Sequence, residues 1–185
     1  MLNVTETSKA LGHTRATVEK YLSILEKLYL LRRLPAWHRN VQKRLVKTPK
    51  IHLRDSGLAA ALSGVTESMW TGDRRAFGHL LESFIIQQIH IQAGRLENKP
   101  RLWHYRDKDK VEVDCVLTQG RKTWAIEVKA ASSADPSDIR GLGRLAEQPG
   151  SDFQGGIVFY DGSATLPLDR SCNLYAVPIS KLWEL

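Results

Sequence analysis

Apolar and polar positions follow a helical spacing in the first half of the chain and an alternating one in much of the second. Val4–Leu11 reads as a short helix, closed by a tight turn at Gly12-His13-Thr14. Thr14 caps a second helix running to about Leu31. In it Val18, Leu22, Leu25 and Tyr29 recur at helical spacing and face inward, leaving Arg15, Glu19 and Lys20 outward. Tyr29–Ala36 and Lys50–Arg54 read as strands enclosing a basic loop from Trp37 to Thr48. Asp55-Ser56-Gly57 forms a turn and cap for a short helix, Leu58–Leu62, and the polar stretch Ser63–Arg75 reads as a junction. A long helix, apolar nearly all round, is predicted from Ala76 to about Ala93.

Beyond it the period becomes two. Arg101–Tyr105 is an edge-strand candidate, followed by the charged turn Arg106-Asp107-Lys108-Asp109-Lys110. Val111–Leu117 and Thr123–Val128 alternate on either side of Gly120, the pattern of a β-hairpin. Strict alternation would place Val111, Val113, Cys115 and Leu117 on one face of the first strand, with Glu112 and Asp114 on the other. In the second strand, Trp124, Ile126 and Val128 share a face opposite Glu127 and Lys129. A helix over Asp135–Ala146 beginning near Pro136 comes next. Strands at Gly156–Tyr160 and Leu174–Val177 and a final helical turn at Ser180–Leu185 complete the chain. The expected fold class is mixed α/β. A winged helix-turn-helix over residues 1–62 precedes a junction at 63–75 and a sheet flanked by helices over 76–185.

Composition changes this picture in two places. The 42% hydrophobic and 25% charged fractions are those of an ordinary globular chain, and no apolar run approaches the ~20 residues of a membrane span. No secretory signal opens the sequence, and the isolated Cys115 and Cys172 read as core thiols in a reducing cytosol, so a cytoplasmic protein is expected. The net charge of +7 is concentrated at the N-terminal end, and no acidic residue occurs between Lys27 and Arg54. Such a block points to phosphate contacts, for which Arg15 and Lys20 on the second helix and Arg39, Lys43, Arg44 and Lys47 in the wing loop are the candidates. The same helix-turn-helix pattern also serves to pack against another protein domain.

Chemistry concentrates in V-E-V-D-C-V-L-T-Q-G-R-K-T-W-A-I-E-V-K, residues 111–129. With the strand faces matched, Asp114, Glu127 and Lys129 converge, and two carboxylates plus an ammonium suit a hard divalent cation beside a phosphate. Glu82 stands alone as a carboxylate in the long helix, among Ile85, Ile86 and Ile89, where it needs a partner or a metal. The six histidines show no compact ligand spacing, and there is no G-x-S-x-G elbow.

Asp114 followed by Glu127-Val128-Lys129 resembles the PD-(D/E)XK nuclease motif. The whole chain resembles the C-terminal region of a family of bacterial and archaeal AAA-type ATPases. The likeness rests on L-G-H-T-R-A-T-V-E-K-Y-L-S-I-L-E, K-I-H-L-R-D-S-G-L, G-H-L-L-E-S-F-I-I, W-H-Y-R, E-V-D-C-V-L, I-E-V-K and A-V-P-I-S-K-L-W. It implies a winged helix joined to a restriction-endonuclease-like domain, with Glu82, Asp114, Glu127 and Lys129 as its catalytic members. A Mg²⁺ or Mn²⁺ ion would be held by Asp114, Glu127 and the Val128 carbonyl with help from Glu82. Lys129 would orient the attacking water, and Arg106 is a further phosphate contact. DNA is the implied partner, with an ATPase module in cis or in trans and an oligomer open. No G-x-x-x-x-G-K-[ST] occurs, so the chain would not hydrolyse ATP through a P-loop. The expected function is a metal-dependent phosphodiesterase acting on DNA. The alternative is a catalytically inactive DNA-binding or protein-interaction module.

Overall fold

The computed structural model describes residues 2–39, 48–72 and 74–184. Two helices open the fold, α1 (Val4–Ala10) and α2 (Arg15–Lys27). Asn3 caps α1 by accepting from the Thr5 and Glu6 amides, and Thr14 caps α2 by accepting from Thr17. The second helix ends four residues earlier than its apolar pattern predicts. Tyr29 turns the chain with a φ of 61°. It is therefore 73% exposed, not inward-facing, and the Arg54 guanidinium stacks 5.3 Å above its ring. Strands β1 (Leu31–Leu34) and β2 (Lys50–Leu53) follow as an antiparallel pair. The wing-loop candidates Lys43, Arg44 and Lys47 lie outside the described residues.

Asp55 caps α3 (Ser56–Ser63) through the Leu58 amide. The stretch read as a junction carries α4 (Glu67–Gly72), and the long helix α5 starts ahead of its predicted boundary, spanning Arg74–Arg95. Six strands then form one mixed sheet: β3 (Arg101–Arg106), β4 (Glu112–Gln119), β5 (Lys122–Val128), β6 (Phe153–Tyr160), β7 (Leu166–Asp169) and β8 (Leu174–Pro178). Their order is β3-β4-β5-β6-β8-β7, with β5–β6 and β6–β8 parallel. Strand β7 was not predicted, because Leu-Pro-Leu-Asp is short, half-exposed and interrupted by proline, as an edge strand permits. A capping box between Asp135 and Asp138 starts a 3₁₀ turn at Pro136–Ile139, which runs into α6 (Arg140–Ala146).

The sheet is buried on both faces. Helix α5 covers one with Ile85, Ile86 and Ile89 against Cys115, Ile126 and Phe159. Helix α6 covers the other with Leu142 and Leu145 against Val113, Val116, Ala125 and Val158. Val113 and Cys115 thus pack on opposite sides, contrary to strict alternation. The cause is a bulge: Trp103 pairs with Val116 and Tyr105 with Val113, so Asp114 and Cys115 together face a single residue of β3.

The N-terminal segment packs against the sheet. Leu34 belongs to the α5-side core and Trp37 to the α6-side core. Residues 35–37 also pair with β3: the Trp37 amide donates to the His104 carbonyl at 2.6 Å, and the His104 amide to the Pro35 carbonyl at 2.9 Å. They cover the edge of the sheet.

Helix α6 crosses β4 at Gly141, where a methyl group would run into the Glu112 carbonyl oxygen. Gly141→Ala is expected to destabilise the fold by about 1–3 kcal/mol by overpacking. Urea unfolding reads this, and a midpoint equal to wild type would show that α6 can lift off at no cost.

Candidate functional site

The bulge and the end of the β4–β5 ladder shape the site. The ladder stops at the Cys115–Ile126 pair. Beyond it the Val128 amide donates to Asp114 Oδ2 at 3.0 Å, so the carboxylate sits where the strands part. The other oxygen, Oδ1, accepts from Lys50 Nζ at 2.9 Å, and the same ammonium donates to Glu82 Oε1 at 2.9 Å. Glu112 Oε2 lies 3.7 Å from it, and Glu112 Oε1 pairs with Arg106 at 3.2 Å. Arg106, expected to meet a phosphate, is therefore engaged with Glu112.

Lys50 is the member that the sequence reading missed. It arrives on β2, whose burial is inverted: Lys50 and His52 point inward, while Ile51 and Leu53 remain partly exposed. Lys and His at alternate positions of a strand, with the apolar residues between them, was the available signal. The Lys50 side chain is 8% exposed, and those of Glu82 and Asp114 are 12% and 13%. Burial opposes its charge, yet Asp114 and then Glu82 outweigh that and hold its pKa above the ordinary lysine range. Burial first, then Asp114, pushes Glu82 up, with Lys50 pulling it back. His52 donates to or accepts from Ser83 Oγ at 3.0 Å through Nδ1, and burial, with Lys50 nearby, lowers its pKa to about 4. At neutral pH the imidazole is uncharged.

Glu127 and Lys129 stand on the α6 side, since the intervening Val128 and Ile126 pack toward α5. Lys129 Nζ meets Asp138 Oδ1 at 3.1 Å instead of joining Asp114. Burial works against its charge, but Asp138 more than offsets it, and its pKa is raised. Asp114, Glu127 and Lys129 act on one another electrostatically, but their direct partners differ: Asp114 meets Lys50 and the Val128 amide, and Lys129 meets Asp138. Glu127 links them. Burial, reinforced by the Asp114 charge, pushes the Glu127 carboxyl up to about 8, and its Oε2 is buried with no hydrogen-bond partner among the described residues.

Oxygen donors alone suit a hard divalent cation, and the orphaned Glu127 Oε2 is the kind of atom such an ion would satisfy. The rest of the arrangement does not fit one. Both Asp114 oxygens and Glu82 Oε1 are already engaged. Among the described residues, no three His, Cys, Asp or Glu side chains gather to hold a metal ion. What the cluster does as built is offset part of the carboxylate charge and tie β2 to α5 and β4.

Among the phosphate candidates, Arg15, Lys20 and Arg39 are exposed. Other N-terminal cations are used internally: Arg32 bonds Gln87 Oε1 at 2.9 Å, and Arg33 pairs with Glu19 at 3.3 Å and Glu26 at 3.1 Å. No helix among the described residues is long and apolar enough to cross a membrane.

Two family models match the sequence. The domain of unknown function DUF4143 covers residues 77–182, and the domain of unknown function DUF8612 covers residues 1–69. The uncharacterized protein Mb2031c of Mycobacterium bovis is 27% identical over 185 residues, taking in 96% of this chain and 38% of its own length. The uncharacterized protein Rv2008c of Mycobacterium tuberculosis gives the same figures, 27% identity with 96% and 38% coverage. The chain thus spans 38% of the length of these curated relatives. No solved structure matches it.

Proposed function

The chain belongs to the DUF4143 family, and on that premise we propose that it is a nucleic-acid-binding module, without phosphodiesterase activity of its own, that serves a larger protein of the AAA-type ATPase kind. The supporting observation is how the charges are distributed. Two carboxylates of the nuclease-like site, Glu82 and Asp114, are bridged internally by Lys50. Lys9, Arg15, Lys20 and Lys27, by contrast, lie exposed along α1 and α2 and form no ion pair among the described residues. Exposed cations on two consecutive helices fit contact with a phosphate backbone.

The test is fluorescence anisotropy on a labelled DNA duplex across a salt series. Affinity is expected to fall steeply with salt, and Arg15→Ala with Lys20→Ala to reduce the slope of log K against log salt by about two. Binding that ignores salt, or that the double substitution leaves unchanged, would move the role of this segment to a protein partner.

The metal-dependent phosphodiesterase keeps one observation in its favour, the buried and unpartnered Glu127 Oε2. Plasmid nicking with Mg²⁺ or Mn²⁺ that disappears in both Asp114→Ala and Lys129→Ala would establish it over the non-catalytic reading.

A further inference from the structure

We infer that the Lys50 ammonium stands in for a divalent cation between Glu82 and Asp114. The N-terminal segment would thus deliver on a strand the positive charge that these carboxylates would otherwise draw from solution. This rests on reading the sheet as nuclease-like, and goes beyond it in assigning the cation's place to a residue of the same chain.

The geometry is that of a bridging cation. One nitrogen contacts Glu82 Oε1 and Asp114 Oδ1 at 2.9 Å each, with Glu112 Oε2 at 3.7 Å. The two close carboxylates come from different elements, α5 and β4, and Lys50 from a third, β2. No local helix or hairpin geometry forces the three together. The position of β2 is set by its pairing with β1, whose Leu34 is locked into the α5-side core, and by residues 35–37 on the sheet edge. Lys50 is thus brought to the carboxylates by packing along its whole strand, which a dissolved ion would have to disrupt.

The groups facing the ammonium do not replace it. His52 lies on the same strand, with Nε2 at 3.9 Å from Glu82 Oε1, and burial keeps it neutral at pH 7. His79 approaches Glu82 Oε2 at 3.7 Å from one helical turn away, but its side chain is 100% exposed. Arg106 is paired with Glu112 and Lys129 with Asp138. Lys50 carries one positive charge where Mg²⁺ would carry two, so the cluster is left one charge short.

Mn²⁺ is the probe, its free-ion electron paramagnetic resonance signal being followed as protein is added. The wild-type chain is expected to leave the signal unchanged. Lys50→Ala is expected to remove about one equivalent of free Mn²⁺ and to show a thermal midpoint that climbs with Mn²⁺ concentration. Wild type binding Mn²⁺ as tightly as Lys50→Ala would overturn the inference, as would a folded Lys50→Ala that binds none. Should Lys50→Ala not fold, the wild-type protein decides alone. The ¹⁵N resonance of the Lys50 ammonium is expected to stay slowly exchanging and unmoved through a Mg²⁺ titration, and its release by Mg²⁺ would overturn the stand-in role. Duplex binding is read separately by its salt dependence, so loss of the nucleic-acid role and loss of this inference give different results.

Discussion

Replacing Lys50 by methionine is expected to destabilise the fold by about 3–5 kcal/mol at pH 7, because it strands two buried carboxylates without their cation. The effect is large for a single contact because all three side chains are 8–13% exposed, so solvent does little to screen them. Its pH dependence follows from the groups involved. The raised pKa of Lys50 means that its contribution is complete below the ordinary lysine value of 10.5 and is lost as pH rises through the higher folded value. Glu82 without Lys50 holds its proton more strongly still, so the deficit fades below its ordinary value of 4.5, where folded and unfolded chains are both protonated. The difference between variant and wild type is therefore expected to grow as pH rises from 4.5 through the raised Glu82 value, and to be lost again above the folded Lys50 value. Urea midpoints at pH 4, 7 and 9 measure it. A difference below about 1 kcal/mol at pH 7, the size of an exposed pair, would show that the cluster is hydrated in solution.

The second large effect has the opposite sign. Glu127→Gln is expected to stabilise the protein at neutral and mildly alkaline pH, by on the order of 3 kcal/mol. An unfolded chain gives up the Glu127 proton near 4.5, whereas the folded chain keeps it to about 8. The folded state binds the extra proton across that window, so wild-type stability falls as pH rises through it and is level again above. Glutamine has no proton to lose and abolishes the fall, while leaving stability below pH 4.5 nearly unchanged. Stability curves of the two proteins that run parallel from pH 4 to pH 9 would show that Glu127 titrates as an exposed carboxyl.

Much of the sheet was legible because β5 keeps strict alternation: Ile126 and Val128 face α5, as their spacing demands. Glu82 was legible for a related reason, since a single carboxylate among isoleucines on a helix has to find a partner. The face of Asp114 was not. V-E-V-D-C alternates before the all-apolar Cys115-Val116-Leu117, and the bulge that breaks the alternation arises from pairing with β3, on which Tyr105 sits opposite Val113 and Trp103 opposite Val116. A bulge is a property of two strands, and neither strand announces it alone. Lys50 was missed because a lysine in a basic stretch reads as surface. Its burial depends on carboxylates 32 and 64 residues away in sequence. Tyr29 misled in the converse way, by continuing an apolar period that the chain had already left through a left-handed turn. The capped helix starts at Thr14 and Asp55 were local, and for that reason the easiest to read.

Residues 35–37 lie against β3, and that contact changes how the two matched segments relate to each other. A chain severed between residues 69 and 77 would leave a C-terminal piece with an open strand edge, a void where Leu34 packed and an anionic pocket without its lysine. Open edges recruit other chains, so such a piece would tend to aggregate. The N-terminal piece would in turn hold a two-stranded hairpin too small to persist alone. The two segments are expected to melt in a single cooperative transition. A gene rearrangement that moved one without the other would separate a lock from its key, so the two segments are expected to be inherited as one unit.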